Sequence, residues 1–235
     1  MNYKENISLN EPIFFKYFLR PIAKYIYPYV PKAISGNMVS YFRFAIVTFF
    51  FFIMSLGNNL LFSLAIFIYI LNCILDCLDG EISRQRNTAT YYGKYIDGYL
   101  DVIIEIFLLV FGFIYLLLNY KINVFVSVII CTSLMLILME TYTREKLSFY
   151  REWIKGDSKA SSSAFFKGKA PIFFGNLFID IKIFYAFMLI MFISPFEYIV
   201  LLALTTIVVS LIRMFCDLRL VYLNLKINRI SQYKK

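Results

Sequence analysis

The chain has 235 residues, 60% hydrophobic and 20% aromatic, with a mean hydropathy of +0.70 and only 17% charged residues; soluble domains run about 45–50% apolar and about 25% charged, so most of this surface is made for lipid. A formal net charge of +9 in so apolar a chain points to cytoplasmic loops beside anionic lipid rather than to nucleic acid. The absence of His removes His-based triads, His general bases and the common zinc and haem ligand sets.

Met1–Pro12 is polar and lacks an early apolar core, so no signal peptide is expected. Residues 1–34 read as a cytoplasmic N-terminal segment. Within it, Lys16, Arg20 and Lys24 recur every four residues, while Phe14, Phe15, Tyr17, Phe18, Ile22 and Ile26 fall largely elsewhere. This spacing predicts an amphipathic helix over Ile13–Val30, lying in the membrane interface, kinked at Pro21 and ended near Pro28 and Pro31. Residues 35–225 then read as an all-α, six-span membrane domain, because about 20 apolar residues cross a bilayer. The expected spans are Asn37–Leu56, Leu60–Leu78, Tyr95–Leu118, Val124–Glu140, Ile172–Ile193 and Phe196–Val221. Polar breaks at Gly57–Asn59, Ser83–Thr90, Asn119–Asn123, Thr141–Pro171 and Ser194–Pro195 separate them, and Glu140 and Arg144 suit a helix that continues into water. Residues 226–235 form a basic tail.

With the N-terminus in the cytoplasm, the loops after spans one, three and five face outward and carry one basic residue, Lys121. Arg84, Arg86 and Lys94 follow span two, a basic run from Arg144 to Lys169 follows span four, and Lys226, Arg229, Lys234 and Lys235 close the chain. Both termini are therefore expected in the cytoplasm. Cys73, Cys77, Cys131 and Cys216 sit in apolar runs without metal-site spacing and read as small hydrophobes.

The chemistry concentrates where span two ends and span three begins. A carboxylate inside a span costs at least about 2.5–3.5 kcal/mol on insertion scales, yet Asp76 and Asp79 close one span while Asp97 and Asp101 open the next. The pairs are spaced i,i+3 and i,i+4, so each lies on one helical face. Antiparallel helices joined by a short loop over 83–94 are expected to set them at equal depth, where four carboxylates need a cation. An all-oxygen donor set suits Mg²⁺, Mn²⁺ or Ca²⁺, with room in the count for two ions. Gly80 and Gly93 allow close approach of a ligand, and Arg84 offers a planar fork to phosphate. Together these suggest phosphoryl or pyrophosphate chemistry, against the alternatives of a cation transporter or a non-catalytic scaffold built on the same cluster.

The run D-x2-D-G-x2-S-R-x8-G-x3-D-x3-D, from Asp76 to Asp101, resembles the signature of the CDP-alcohol phosphotransferase (CDP-alcohol phosphatidyltransferase) family, with Ser83 where the family usually has Ala. Ser35–Ser40 also looks like the Pro-Asn-x-x-Thr entry of many relatives, with Gly for Pro and Ser for Thr. The resemblance implies transfer of a substituted phosphoryl group from a CDP-alcohol to an acceptor hydroxyl, with release of CMP. It implies Asp76, Asp79, Asp97 and Asp101 as ligands of Mg²⁺ or Mn²⁺, with Asp101 also the general base. Asp79, Gly80, Arg84 and Gly93 would contact the nucleotide, and a homodimer is implied. Either the donor or the acceptor is a lipid, and the resemblance leaves both open. Lys167, Lys169, Arg213 and Arg219 are candidates for an acceptor phosphate, although Arg213 could instead pair with Asp217. Glu105 extends the 97–101 stripe. Asp180 and Lys182, two apart on a helix, must each find a separate partner. The abundance of Ile, Lys, Asn, Phe and Tyr suggests a bacterial inner membrane.

Overall fold

The computed structural model describes residues 12–155, 169–191 and 193–232. Among them every regular element is helical: α1 (Arg20–Ile26), α2 (Gly36–Met54), α3 (Asn59–Gln85), α4 (Tyr91–Asn119), α5 (Val124–Lys155), α6 (Lys169–Met191) and α7 (Pro195–Gln232). Five of these, α2, α3, α4, α5 and α7, are long and apolar enough to cross a membrane among the described residues. The fifth expected span coincides with α6. α5 continues well beyond Glu140, and α7 passes residues 225–226 without a break.

The N-terminal helical segment wraps the bundle rather than crossing it. Phe15–Leu19 is wound as a π-helix, and the Arg20 N–H reaches the Phe15 carbonyl. Pro21 has no N–H to close the ordinary bond onto Tyr17, so the expected kink appears as a widened turn. A 3₁₀ turn at Tyr27–Tyr29 ends it around Pro28. Leu19 and Ala23, one turn apart, are buried, while Tyr17, Phe18, Ile22 and Tyr25 are exposed.

Both ends of this segment are fastened. The Asp180 carboxylate on α6 accepts from the N–H groups of Ile13 and Phe14, at 2.9 Å each. These are helix-terminal donors that lack intrahelical partners, and a negative charge there also suits the helix dipole. At the far end, the Arg86 guanidinium donates to the carbonyls of Val30, Pro31, Lys32 and Ile34 at 2.5–3.2 Å. Asp180→Ala is expected to loosen the segment by about 0.5–2 kcal/mol, the usual worth of a cap. Hydrogen exchange should then rise at Ile13–Ile26 and stay unchanged in α3; equal protection in both proteins would contradict the cap.

Ser35 caps α2 by accepting from the Met38 N–H at 3.3 Å. Gly36, Ser40, Arg43, Val47, Phe51 and Met54 are all buried, a stripe at three- and four-residue spacing along one face. The loop expected over 83–94 is shorter: α3 runs through Gln85 and α4 begins at Tyr91, so Ser83 and Arg84 are helical. α3 stops in a Schellman turn. Asn87 takes φ +54°, the Thr88 N–H bonds to the Ser83 carbonyl, and the Asn87 N–H bonds to the Arg84 carbonyl. Thr90 then caps α4 by accepting from the Gly93 N–H at 3.0 Å, which puts Gly93 and Lys94 in its first turn.

Among the described residues the backbones of α3 and α4 stay apart and meet through side chains such as Phe62 and Tyr115; α2 lies against both. α7 runs along α5 and α6 and also touches α3 and α4. Away from the carboxylates, Phe62, Tyr115 and Tyr198 form an aromatic knot, with Phe62 4.6 Å from Tyr115 and 6.1 Å from Tyr198 between ring centroids. None of the four cysteines forms a disulfide, and Cys73 and Cys77 are buried in the core.

Candidate active site

The two carboxylate pairs do converge, but around a residue of α2. Arg43 is fully buried, and its Nη2 lies 2.8 Å from Asp76 Oδ1 and 2.5 Å from Asp97 Oδ1. Its Nη1 donates to Asp101 Oδ1 at 2.9 Å, and Nε faces Asp79 Oδ2 at 3.4 Å. One guanidinium thus offsets one of four carboxylate charges. The side chains of Asp97 and Asp101 keep 35% and 45% of their exposure, against 23% and 6% for Asp76 and Asp79, so the α4 pair faces the opening.

Asp76, Asp97 and Asp101 each place an oxygen within 4.8 Å of the others. That spread is about twice a metal–oxygen bond of about 2.0–2.6 Å, and hard carboxylate donors suit a divalent cation, so the residues fit such an ion. Asp79 stands apart from this trio. Its Oδ2 accepts from Ser40 Oγ at 2.7 Å.

Glycine explains how α2 gets so close. A methyl group on Gly36 would lie 2.2 Å from Ser83 Oγ and 2.8 Å from the Asp79 carbonyl, and one on Gly93 would lie 2.7 Å from Asn37 Oδ1. Both positions serve helix approach here: Gly36 joins α2 to α3, and Gly93 joins α2 to α4. The Arg84 guanidinium covers Gly80, with Nη1 3.1 Å from where a methyl would sit. Arg84 Nη2 donates to Glu81 at 3.1 Å, and Gln85 donates to the same carboxylate at 2.8 Å.

Deeper in the bundle, Lys182 of α6 pairs with Glu105 of α4 and lies 4.4 Å from the Phe178 ring centroid. Asp180 and Lys182 therefore have separate partners, as their spacing demands. Arg213 pairs with Glu140 across α7 and α5 at 2.8 Å, and the other Glu140 oxygen accepts from Ser210 at 2.7 Å. An acceptor phosphate at Arg213 would compete with Glu140. Lys167 lies outside the described residues, and Lys169 begins α6.

Ser40, Asn37, Gly36 and above all Arg43 are the site residues that reading the sequence missed. The signal was present: Arg43 is the only Lys or Arg between Lys32 and Arg84, inside an otherwise apolar span. A charge at that depth is a functional residue by default.

No curated protein matches the chain. The CDP-alcohol phosphatidyltransferase family matches residues 33–212, a stretch that opens before the α2 cap, closes inside α7 and contains Arg43 and all four aspartates. With most of its length matched and its buried carboxylates gathered between apolar helices, the chain belongs to the CDP-alcohol phosphatidyltransferase family of membrane transferases that move phosphate-containing groups.

Proposed function

We propose that this protein transfers a substituted phosphoryl group from a CDP-alcohol to an acceptor hydroxyl in phospholipid synthesis, with Asp101 as general base. The observation that carries this reading is the convergence of Asp76, Asp97 and Asp101 from two helices onto one point. These residues, backed by Asp79, would hold Mg²⁺ or Mn²⁺, two ions in all. When bound, such ions neutralise pyrophosphate and the departing CMP.

The chain supplies the rest. Arg43 engages Oδ1 of Asp101, so Oδ2 is the oxygen available to a proton, on the most exposed carboxylate of the four. The acceptor oxygen attacks the β-phosphorus and its proton passes to Asp101. The bond from that phosphorus to the CMP oxygen breaks, and CMP leaves with the electron pair. No His, serine elbow or reactive cysteine argues for a covalent intermediate, which favours direct displacement; a phosphorylated enzyme intermediate would count against it. Arg84 would exchange Glu81 for a donor phosphate beside Gly80, with Asp79 and Gly93 completing the nucleotide site. Lys167, Lys169 and Arg213 are the acceptor candidates. The same reading places α6 as a sixth span, the active site and both termini in the cytoplasm, and the protein as a homodimer in a bacterial inner membrane.

The test is CMP release by purified protein with Mn²⁺, offering CDP-diacylglycerol and soluble CDP-alcohols separately, each with pooled acceptors. Release that a chelator abolishes is expected from one donor class, and that class identifies which substrate is the lipid. Silence from both, with folded protein, would refute the reading.

A further inference from the structure

Arg43 sits where a cation belongs. Its Nη2 and Nη1 form ion pairs with Asp76, Asp97 and Asp101, the residues whose oxygens converge closely enough for a metal. A guanidinium stays charged at any pH a protein survives, so the four aspartates always face one resident positive charge. Two further observations bear on its position. Its Nε is buried without a hydrogen-bond partner. An oxygen of Asp79, which stands outside the converging trio, lies 3.4 Å from that nitrogen.

We propose that Arg43 is an exchangeable counter-cation of the metal centre. Before metal arrives it holds Asp76, Asp97 and Asp101 in register; when a divalent ion takes their oxygens, the guanidinium draws back onto Asp79 and completes the Nε bond. The proposal rests on the metal-centre reading above. It assigns Arg43 a positioning role, through the carboxylates, distinct from touching substrate. It also explains how two carboxylates of α3 and two of α4 stay assembled without a bound ion. The exchange weakens metal binding, since each ion must displace a cation already in place.

The test uses the full-length protein in detergent and reads two quantities other than activity: the Mn²⁺ dissociation constant, from the spin-resonance signal of free Mn²⁺, and the unfolding temperature in chelator. Arg43→Gln is expected to bind Mn²⁺ about ten-fold tighter, a gain of about 1.4 kcal/mol. It should unfold several degrees lower in chelator, with most of that loss restored by Mn²⁺. Arg43→Gln/Asp97→Asn, with one carboxylate charge fewer, should recover part of the loss in chelator, as a coupled pair does. If Arg43→Gln does not fold, Arg43→Lys keeps the charge but engages fewer oxygens, and it should still bind Mn²⁺ more tightly than the parent.

Unchanged or weaker Mn²⁺ binding in the folded Arg43 variant would overturn the exchange. Failure of Asp97→Asn to rescue the metal-free protein would overturn the counter-cation role. If neither the parent nor the Arg43 variants bind Mn²⁺, the metal-centre reading falls and takes the exchange with it; the chelator arm, which contains no metal, judges the counter-cation separately.

Discussion

Asp101→Asn is expected to cut CMP release by about 10²–10⁴-fold, the range for loss of a positioned acid or base, while leaving the protein folded. Asparagine keeps the size of the side chain and an oxygen that can accept from Arg43 Nη1 at the present 2.9 Å. It loses the basicity needed to take a proton from the acceptor. The stability side of the prediction has a definite sign. Four carboxylates surround one guanidinium, so removing one negative charge relieves repulsion, and the unfolding temperature in chelator should hold or rise. Activity and stability measured on the same sample separate the two roles. Loss of activity without loss of stability fits a base on a pre-assembled site. Retained CMP release would exclude Asp101 as the base, and joint loss of both would make it a scaffold residue.

Lys182→Met is expected to destabilise the protein by about 3 kcal/mol, the low end of the about 3–5 kcal/mol seen when one partner of a buried ion pair is removed. The low end applies because the Glu105 side chain keeps 34% of its exposure whereas Lys182 keeps 5%. Methionine fills the space beside Phe178 but leaves Glu105 alone, one helical turn below Asp101 on the same face of α4. A fifth carboxylate would then face a cluster that holds one guanidinium. Adding Glu105→Gln should return most of the lost stability, read as thermal unfolding in detergent. A double variant no more stable than Lys182→Met would show that the pair is not coupled and that Lys182 acts by packing alone.

What could be read from the sequence follows what membrane insertion makes expensive. Asp76, Asp79, Asp97 and Asp101 stood out because carboxylates at span ends need a cation, and their i,i+3 and i,i+4 spacing fixed a shared face before any coordinates existed. Asp180 and Lys182 could be assigned separate partners because residues two apart on a helix point away from each other. Harder to see was which helices touch. A short loop between α3 and α4 suggests that their backbones pack side by side, yet near the carboxylates α2 bridges them, because Gly36 and Gly93 let its N-terminal turn approach both neighbours more closely than any side chain would allow. The partners of Arg43 lie 33–58 positions away, beyond the reach of any local pattern. The end of α3 was misplaced for another reason. The polar run from Ser83 to Thr90 looks like a break, but Arg84 and Gln85 both donate to Glu81 along the helix face and carry α3 through Gln85.

The burial of Arg43 has a consequence for how the protein is made. α2 precedes Asp76 and Asp79 in the chain, and a bare guanidinium at a span centre costs about 2.5–3.5 kcal/mol on insertion scales. α3 brings its own carboxylates, each with a comparable penalty. Neither helix is at ease in lipid alone, and each carries the other's neutralising partner. The tight turn between them, with Gly57 at φ +93°, sets α2 and α3 as a hairpin in which Arg43 meets Asp76 and Asp79, so the pairing that lowers the cost of insertion is also half of the candidate site.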